Sequence, residues 1–190
     1  YTCVMTSWLS ADQQRQWRAY IAATTLLHEQ LSRELQDAHG ISLADYEILV
    51  RLSEASDRTL RMSLLADSTL ASRSRLTHQI DRLEKAGLVE RQACSEDRRG
   101  QNAILTNAGY ALLVECAPTH VDGVRSHLVD LLSPEQFSAL GEACAIVAQH
   151  LEQNPISRTI WSGSSGETCV LRPFSSATFL WSGKGSMQRL

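Results

Sequence analysis

The sequence lacks both a long apolar run and a secretory leader. No segment reaches the 18 apolar residues that a membrane-spanning helix needs, and the N-terminal YTCVMTSW has neither a basic region nor an apolar core. We therefore expect a soluble, unexported protein of the cytoplasm with no membrane partner. With 43% hydrophobic and 21% charged residues, the 190-residue chain can form one domain of ordinary size or two small ones.

Cysteine pairs are also missing. The five cysteines are odd in number, widely scattered and never spaced as CxxC: Cys3, Cys94, Cys116, Cys144 and Cys169. This usage argues against a disulfide scaffold and suits a reducing compartment. Cys116 and His120 lie one helical turn apart, as half of a metal site would, but no clear second pair accompanies them. We expect neither a metal nor a cofactor.

The motifs of the common enzyme classes are absent as well. No GxSxG, GxxxxGK[ST], GxGxxG or HExxH occurs, and GSSG at 163–166 does not have the spacing of a nucleophile elbow. The sequence therefore predicts a protein that is not an enzyme.

The net charge of −3 argues against a protein that coats nucleic acid along its whole surface. The charge is unevenly distributed, however. From Arg58 to Gln101, nine Arg or Lys stand against six Asp or Glu, so this segment carries +3 and the remainder −6. Positive charge confined to one segment is what a docking face for DNA requires.

The positive segment contains a predicted helix with one apolar and one polar face. It should begin after Ser72, whose hydroxyl can cap the first turn, and end at Gly87, which suits the left-handed position after a helix. Leu76, Ile80 and Leu83 recur at helical spacing. Because a short predicted helix over 62–68 and a turn precede it, the pattern predicts a helix-turn-helix, whose second helix enters the major groove of DNA.

A small β wing is predicted after this helix. The runs LVERQAC and NAILT enclose SEDRRGQ, a charged turn with one glycine, and Thr59 to Arg61 can add a third strand. The predicted fold class is therefore mainly α (α+β), a winged helix-turn-helix flanked by terminal helices.

The residues also carry a family resemblance. The segments LRMSLLADSTLASRSRLTHQIDRLEKAGLVER and DRRGQNAILTNAG resemble the MarR family of bacterial winged-helix regulators, with the LA, dRLEkkGLveR and DRR-x4-xLTxxG patterns in order. Leu64 and Ala71 depart from the family pattern, which puts local packing or contacts in doubt but leaves the fold intact. The resemblance implies a repressor that a small, often phenolic or otherwise aromatic, ligand relieves from DNA.

The candidate DNA-binding residues lie in the recognition helix and at the wing tip. They are Ser72, Arg73, Ser74, Arg75, Thr77, His78, Arg82, Arg98 and Arg99. Arg75 can reach guanine O6 and N7, with phosphate contact as the equally weighted alternative, whereas Arg73 and Arg82 suit phosphate or structural roles. The resemblance implies that the DRR arginines enter the minor groove and that Asp97 supports the wing.

The terminal helices contain no DNA-reading features. We assign residues 10–40 and 107–153 to a helical dimerisation region, 41–106 to the winged helix, and 1–9 to an N-terminal extension. Pro118 is expected to interrupt the helix that Thr106 caps. A helix-packing seam follows at Phe137, Leu140, Cys144, Val147 and Leu151. A homodimer should bind a near-palindromic operator with half-sites about 10 to 10.5 base pairs apart.

Residues 154–190 are predicted to form an irregular, flexible tail. Ser and Gly make up 12 of residues 155–190. No helix or strand period persists there, although the apolar pieces CVL and TFLW can pair as strands or contact a partner.

Effector binding is the least defined prediction. Trp17, Tyr20 and His28 on the first helix and Tyr46 on the second are candidates for an effector pocket, but aromatic residues at helical spacing are more often core. Two alternatives stay open: redox sensing through Cys94, which lies near the wing arginines in sequence, and a winged helix used for protein contact.

Overall fold

The structure, a computed structural model, describes residues 7–69, 72–94, 100–153, 180–182 and 186–188. The chain divides into two compact units, residues 1–132 and 133–190. The described helices are α1 (Ala11–His39), α2 (Leu43–Glu54), α3 (Met62–Ser68), α4 (Arg73–Lys85), α5 (Asn107–His127) and α6 (Pro134–Gln153). The described strands are β1 (Thr59–Arg61), β2 (Val89–Ala93), β3 (Gln101–Leu105), β4 (Leu180–Ser182) and β5 (Ser186–Gln188).

Helix α1 begins and ends where the sequence predicts. The Ser10 side chain accepts a hydrogen bond from the Gln13 N–H, and the Gln13 side chain accepts one from the Ser10 N–H, which forms a capping box. Gly40 ends the helix in the left-handed conformation with φ 72°. Only Leu31 and Leu35, in the second half of α1, are buried. No residue in the first half of this helix of about 43 Å is therefore buried by the described residues of its unit.

The core of the first unit lies where α2 meets α1, α4, α5 and the sheet. Its apolar residues are Leu31, Leu35, Ile41, Leu43, Tyr46, Ile48, Leu49, Leu52, Leu65, Ala66, Leu76, Ile80, Leu83, Val89, Ala103, Leu105, Leu113 and Cys116. As predicted, α2 is buried on nearly all sides, with Ile48, Leu49 and Leu52 each 0% exposed.

Strands β1, β2 and β3 form the predicted antiparallel sheet in the order β1-β3-β2. Thr59 pairs with Ile104 on one side, and Val89 pairs with Leu105 on the other. The Cys94 N–H donates to the Gly100 carbonyl at 2.9 Å, so this bond joins the two stems of the wing. The wing residues between them, 95–99, lie outside the described part of the chain.

Helix α5 corrects one prediction. We expected an interruption at Pro118, but α5 runs from Asn107 to His127 with the proline inside it. The missing N–H removes one backbone bond, while packing continues on both sides of the proline, where Cys116 and Gly123 are buried. A Cβ on Gly123 would lie 2.7 Å from the Leu31 side chain, so glycine allows α1 and α5 to approach closely.

Two histidine contacts also connect α1 with α5. The His39 Nε2 lies 2.8 Å from the Thr119 hydroxyl, and the His127 Nε2 lies 2.6 Å from Glu34 Oε1. Hydrogen bonds, first from Gln30 and then from His127, hold the pKa of the Glu34 carboxyl below its usual value. These contacts fix α1 and α5 side by side.

The second unit contains α6 and a strand pair. Ser133 and Gln136 form a capping box at the start of α6, with distances of 2.9 and 3.3 Å. No residue of α6 is buried. Strands β4 and β5 pair antiparallel, and β4 overlaps the TFLW run that the sequence offered as a strand. The irregular, flexible character of 154–190 otherwise stays a prediction. The remaining residues of that segment lie outside the described part.

Among the described helices, none combines the length and apolar character that a bilayer crossing requires.

Candidate nucleic-acid interface

Helix α4 presents the predicted polar face to solvent. Its seven candidate residues are all exposed: Ser72, Arg73, Ser74, Arg75, Thr77, His78 and Arg82. On the opposite face Leu76, Ile80 and Leu83 are 1%, 0% and 3% exposed. The apolar row thus anchors the helix and leaves its polar row free for a partner.

Both ends of α4 are capped. The Ser72 hydroxyl accepts a hydrogen bond from the Arg75 N–H at 3.3 Å. At the other end, the Leu88 N–H donates to the Leu83 carbonyl and the Gly87 N–H to the Glu84 carbonyl, both at 2.9 Å, with Gly87 at φ 71°. This is the Schellman arrangement that the glycine predicted.

The first turns of α4 carry unpaired positive charge. Within the described residues, the Arg73 and Arg75 side chains make no hydrogen bond or ion pair. The Thr77 hydroxyl donates to the Arg73 carbonyl at 2.8 Å, so its donor is already used and its oxygen remains as an acceptor. Two arginines with unused donors are suited to phosphate or guanine.

Arg91 joins the wing to α4, a role that the sequence analysis missed. Its guanidinium contacts the Asp81 carboxylate, the Thr77 carbonyl at 3.2 Å and Glu84 Oε2 at 3.3 Å. The Arg91 hydrogen bond holds the pKa of Asp81 below its usual value. The sequence signal for this contact was the opposite charge of Asp81 in DRLE and Arg91 in GLVER, which lie ten positions apart.

Arg82 has a protein partner. One of its guanidinium nitrogens, Nη2, lies 2.8 and 3.0 Å from the two carboxylate oxygens of Asp45 on α2. Of the phosphate and structural roles that the sequence left open for Arg82, this contact favours the structural one.

Asp97, Arg98 and Arg99 lie outside the described residues, so their wing roles stay predictions. Beside them, the Cys94 thiol donates to Asn102 Oδ1 at 3.2 Å and is half-buried. The redox alternative requires a thiolate, and this hydrogen bond engages the protonated thiol.

A cavity of about 310 Å³ lies between α1, α2 and α4. It is lined by His28, Ser32, Leu43, Ala44, Glu47, Thr69, Arg75 and Gln79. Gln79 is only 7% exposed although it is polar, and its amide makes no hydrogen bond to another described residue. The cavity therefore brings together the Gln79 amide, which has no hydrogen-bond partner among the described residues, and the exposed Arg75 of α4.

The four predicted effector residues do not come together. His28 lines this cavity, whereas Trp17 and Tyr20 stack on the exposed half of α1 with ring centroids 6.0 Å apart. Tyr46 is in the core, its ring 4.8 Å from that of His120.

Burial in the core also raises the pKa values of Tyr46 and the Cys116 thiol. Burial raises the pKa of Tyr46 to about 12 and that of the Cys116 thiol to about 11, so both remain protonated. Among the described residues, no third His, Cys, Asp or Glu joins Cys116 and His120 in a group that could hold a metal.

Comparisons with known proteins agree with this geometry. A family model described as the MarR family matches residues 41–100. The uncharacterized HTH-type transcriptional regulator YfiV of Bacillus subtilis is 32% identical over 150 residues, which are 76% of this chain and 88% of that protein.

Two solved structures from Streptomyces coelicolor are similar over most of their length. Sco3205, a MarR family transcriptional regulator crystallised in complex with DNA, is 48% identical, with a TM-score of 0.74 over 78% of this chain and 92% of that one. AbsC, another MarR family regulator, is 45% identical, with a TM-score of 0.72 over 78% and 99%. These relatives are transcriptional regulators rather than enzymes.

Proposed function

The chain belongs to the MarR family of DNA-binding transcriptional regulators, and we propose that it is a ligand-responsive repressor that binds a near-palindromic operator as a homodimer. The observation that carries the proposal is the exposed polar row of α4, where Arg73 and Arg75 have no ion-pair partner among the described residues, opposite a buried apolar row. In a helix-turn-helix, this row faces the base edges of the major groove.

Homodimer formation is supported by apolar surface that each unit leaves uncovered. On α1, Trp17 is 55% and Ile21 41% exposed. On α6, Phe137, Val147 and Leu151 are 41%, 57% and 54% exposed. Apolar rows of this length on a regulator are best covered by a second copy, and two-fold symmetry then presents two recognition helices one DNA turn apart.

Arg75 provides the test of base reading. If it donates to guanine O6 and N7, Arg75→Ala costs about 1 to 3 kcal/mol at one base pair and removes the preference there. Binding of the variant to duplexes substituted at each position measures this. A uniform loss across all sequences would instead make Arg75 a phosphate contact.

The wing arginines are proposed to bind the minor groove beside each half-site. Narrow A·T tracts concentrate negative potential there. Arg99→Ala should therefore weaken binding most on operators with A·T-rich flanks. Equal weakening on G·C-rich flanks would exclude this placement.

The cavity between α1, α2 and α4 is proposed to bind the effector. Support comes from its volume, from the Gln79 amide, which no described residue hydrogen-bonds, and from Arg75, which borders both the cavity and the exposed polar row of α4. A small aromatic or phenolic ligand that fits only one orientation of α4 would shift the protein away from its DNA-binding form.

Filling the cavity tests this placement. Ala44→Leu should abolish the release of operator by salicylate, used as the probe, while leaving operator affinity in place. Ala108→Leu is the matched control, because both alanines are the second residue of a capped helix and only Ala44 lines the cavity. Release that persists in Ala44→Leu would place the effector elsewhere.

A further inference from the structure

The recognition helix makes a directional contact with the domain behind it. Arg82 is an exposed α4 residue, yet its Nη2 lies 2.8 and 3.0 Å from both carboxylate oxygens of Asp45, which is 37 positions away in sequence. A contact across that distance is a tertiary one. It joins the last turn of α4 to the first turn of α2.

Asp45 is the buried member of the pair. Its side chain is 10% exposed, against 62% for Arg82. A buried carboxylate is costly unless opposite charge and hydrogen bonds compensate it. Asp45 accepts a hydrogen bond from the Ser42 hydroxyl at 2.8 Å and lies in the first turn of α2, where the helix dipole favours negative charge. Arg82 supplies the opposite charge.

The pair lies close to a further hydrogen bond that joins α1 to the start of α2. Ser32 on α1 accepts a bond from the Leu43 N–H at 3.2 Å, and Ser42 accepts one from the Asp45 N–H at 3.2 Å. Arg82 then joins Asp45 to α4. Ser32 and Leu43 also line the cavity, so the Arg82 contact lies beside the proposed effector site.

The other directional contacts of α4 come from Arg91, which joins it to the wing and not to α2. Leu76, Ile80 and Leu83 bury the inner face of α4 by apolar contact, and such contact tolerates small rotations better than hydrogen bonds do. We propose that Arg82 is a positioning residue, whose pairing with Asp45 sets the rotation of the recognition helix about its axis instead of contributing a phosphate contact. This inference rests on the proposed DNA-binding role of α4.

The two roles predict different salt dependence. Each phosphate contact adds about 0.9 to the slope of log K against log salt concentration, because counterions are released on binding. A phosphate-binding arginine that is removed therefore weakens operator and random duplex together and lowers the slope. Removal of a positioning arginine weakens the operator selectively, since only base contacts require a defined helix rotation.

The experiment compares Arg82→Gln with Arg73→Gln, a matched control on the same helix. Operator and random duplex are titrated at several salt concentrations, well below the melting temperature of each variant. Arg82→Gln should lower the ratio of operator affinity to random-duplex affinity by on the order of tenfold, as the loss of a coupled contact would. The slope of log K against log salt concentration should stay unchanged. Arg73→Gln should lower both affinities and reduce the slope by about 1.

A double-mutant cycle with Asp45→Asn separates positioning from general destabilisation. In the Asp45→Asn background, Arg82→Gln should have little further effect on the affinity ratio, because the pair is already broken. A merely structural pair would lower the melting temperature and leave the ratio of the folded protein unchanged. That result would overturn the positioning role.

Two other outcomes are decisive. An Arg82→Gln variant that behaves like Arg73→Gln, with a reduced slope and the same loss on both duplexes, makes Arg82 a phosphate contact and overturns only this inference. An unmodified protein that does not distinguish operator from random duplex overturns the proposed function and the positioning role with it.

Discussion

Helices α4 and α6 use their apolar residues in opposite ways. In α4, the three aliphatic residues of one face are at most 3% exposed. Helix α6 has a longer apolar row, yet none of its residues is buried. Ile80 and Ile146, which lies beside the α6 row, show the same contrast for one type of side chain, which is 0% exposed in α4 and 70% exposed in α6.

The apolar row of α4 is buried within a single chain, whereas the apolar row of α6 stays exposed. The first unit closes its core around α2 with residues of α1 and α5 included, so the exposed row of α4 is held without a second chain. The apolar row of α6 gains less from folding of the single chain, since hydrophobic stabilisation requires area removed from water and Val147 remains 57% exposed. We therefore expect the two helices to respond differently to mutation and to protein concentration.

The largest effect is expected from a charge in the α6 row. Leu140→Asp should convert the dimer to a monomer and weaken operator binding on the order of hundredfold or more, because the second half-site no longer adds to affinity. Sedimentation and operator titration measure the two effects. Gln149→Asp adds the same charge to the opposite face of α6 and should change neither. A Leu140→Asp protein that still sediments as a dimer would place the interface elsewhere.

Alanine substitutions at Ile80 and Ile146 test how much each helix contributes to stability by burial within one chain. Ile80→Ala should lower the free energy of unfolding by about 2 to 5 kcal/mol, from lost burial and the cavity left behind. Ile146→Ala should change it by about 0.5 kcal/mol or less, because the side chain is exposed and lies off the proposed seam. Denaturant unfolding at matched protein concentrations compares them. Similar costs at the two positions would remove the distinction between the helices.

The smallest effect is a pH dependence in the core. Burial holds the pKa of His120 below its usual 6.5. As pH falls through about 6.5, the unfolded chain takes up a proton that the folded chain resists, so stability is full above this pH and declines below it. His120→Phe should flatten this decline between pH 7 and about 5 in thermal unfolding, whereas the exposed His28→Phe should not. An unchanged profile in His120→Phe would assign the decline to other groups.

Local signals explain how much of the fold the sequence predicts. The capping residues Ser10, Ser42, Thr106 and Ser133 each act on an N–H three positions away, so sequence and structure agree there. The apolar row of α4 is equally local. The prediction of an interruption at Pro118 was wrong because packing against distant helices offsets the lost backbone hydrogen bond. The sequence alone does not reveal that packing.

The candidate site is predictable only in part, for the same reason. The exposed row of α4 follows from helical periodicity alone. The pairing of Arg82 with Asp45, the burial of Gln79 and the cavity each require α1, α2 and α4 to be assembled, and no spacing in the sequence reports that. Tyr46 shows the converse: an aromatic residue proposed for an effector pocket belongs to the core.

Operator recognition by the purified protein is the most direct test of the central claim. The protein is titrated against the DNA upstream of its own gene and against a random duplex at two salt concentrations. Tight, footprinted binding to a near-palindrome, with a steep salt dependence and a clear preference over the random duplex, is the predicted result. Weak and equal binding to both duplexes would contradict sequence-specific regulation at that site.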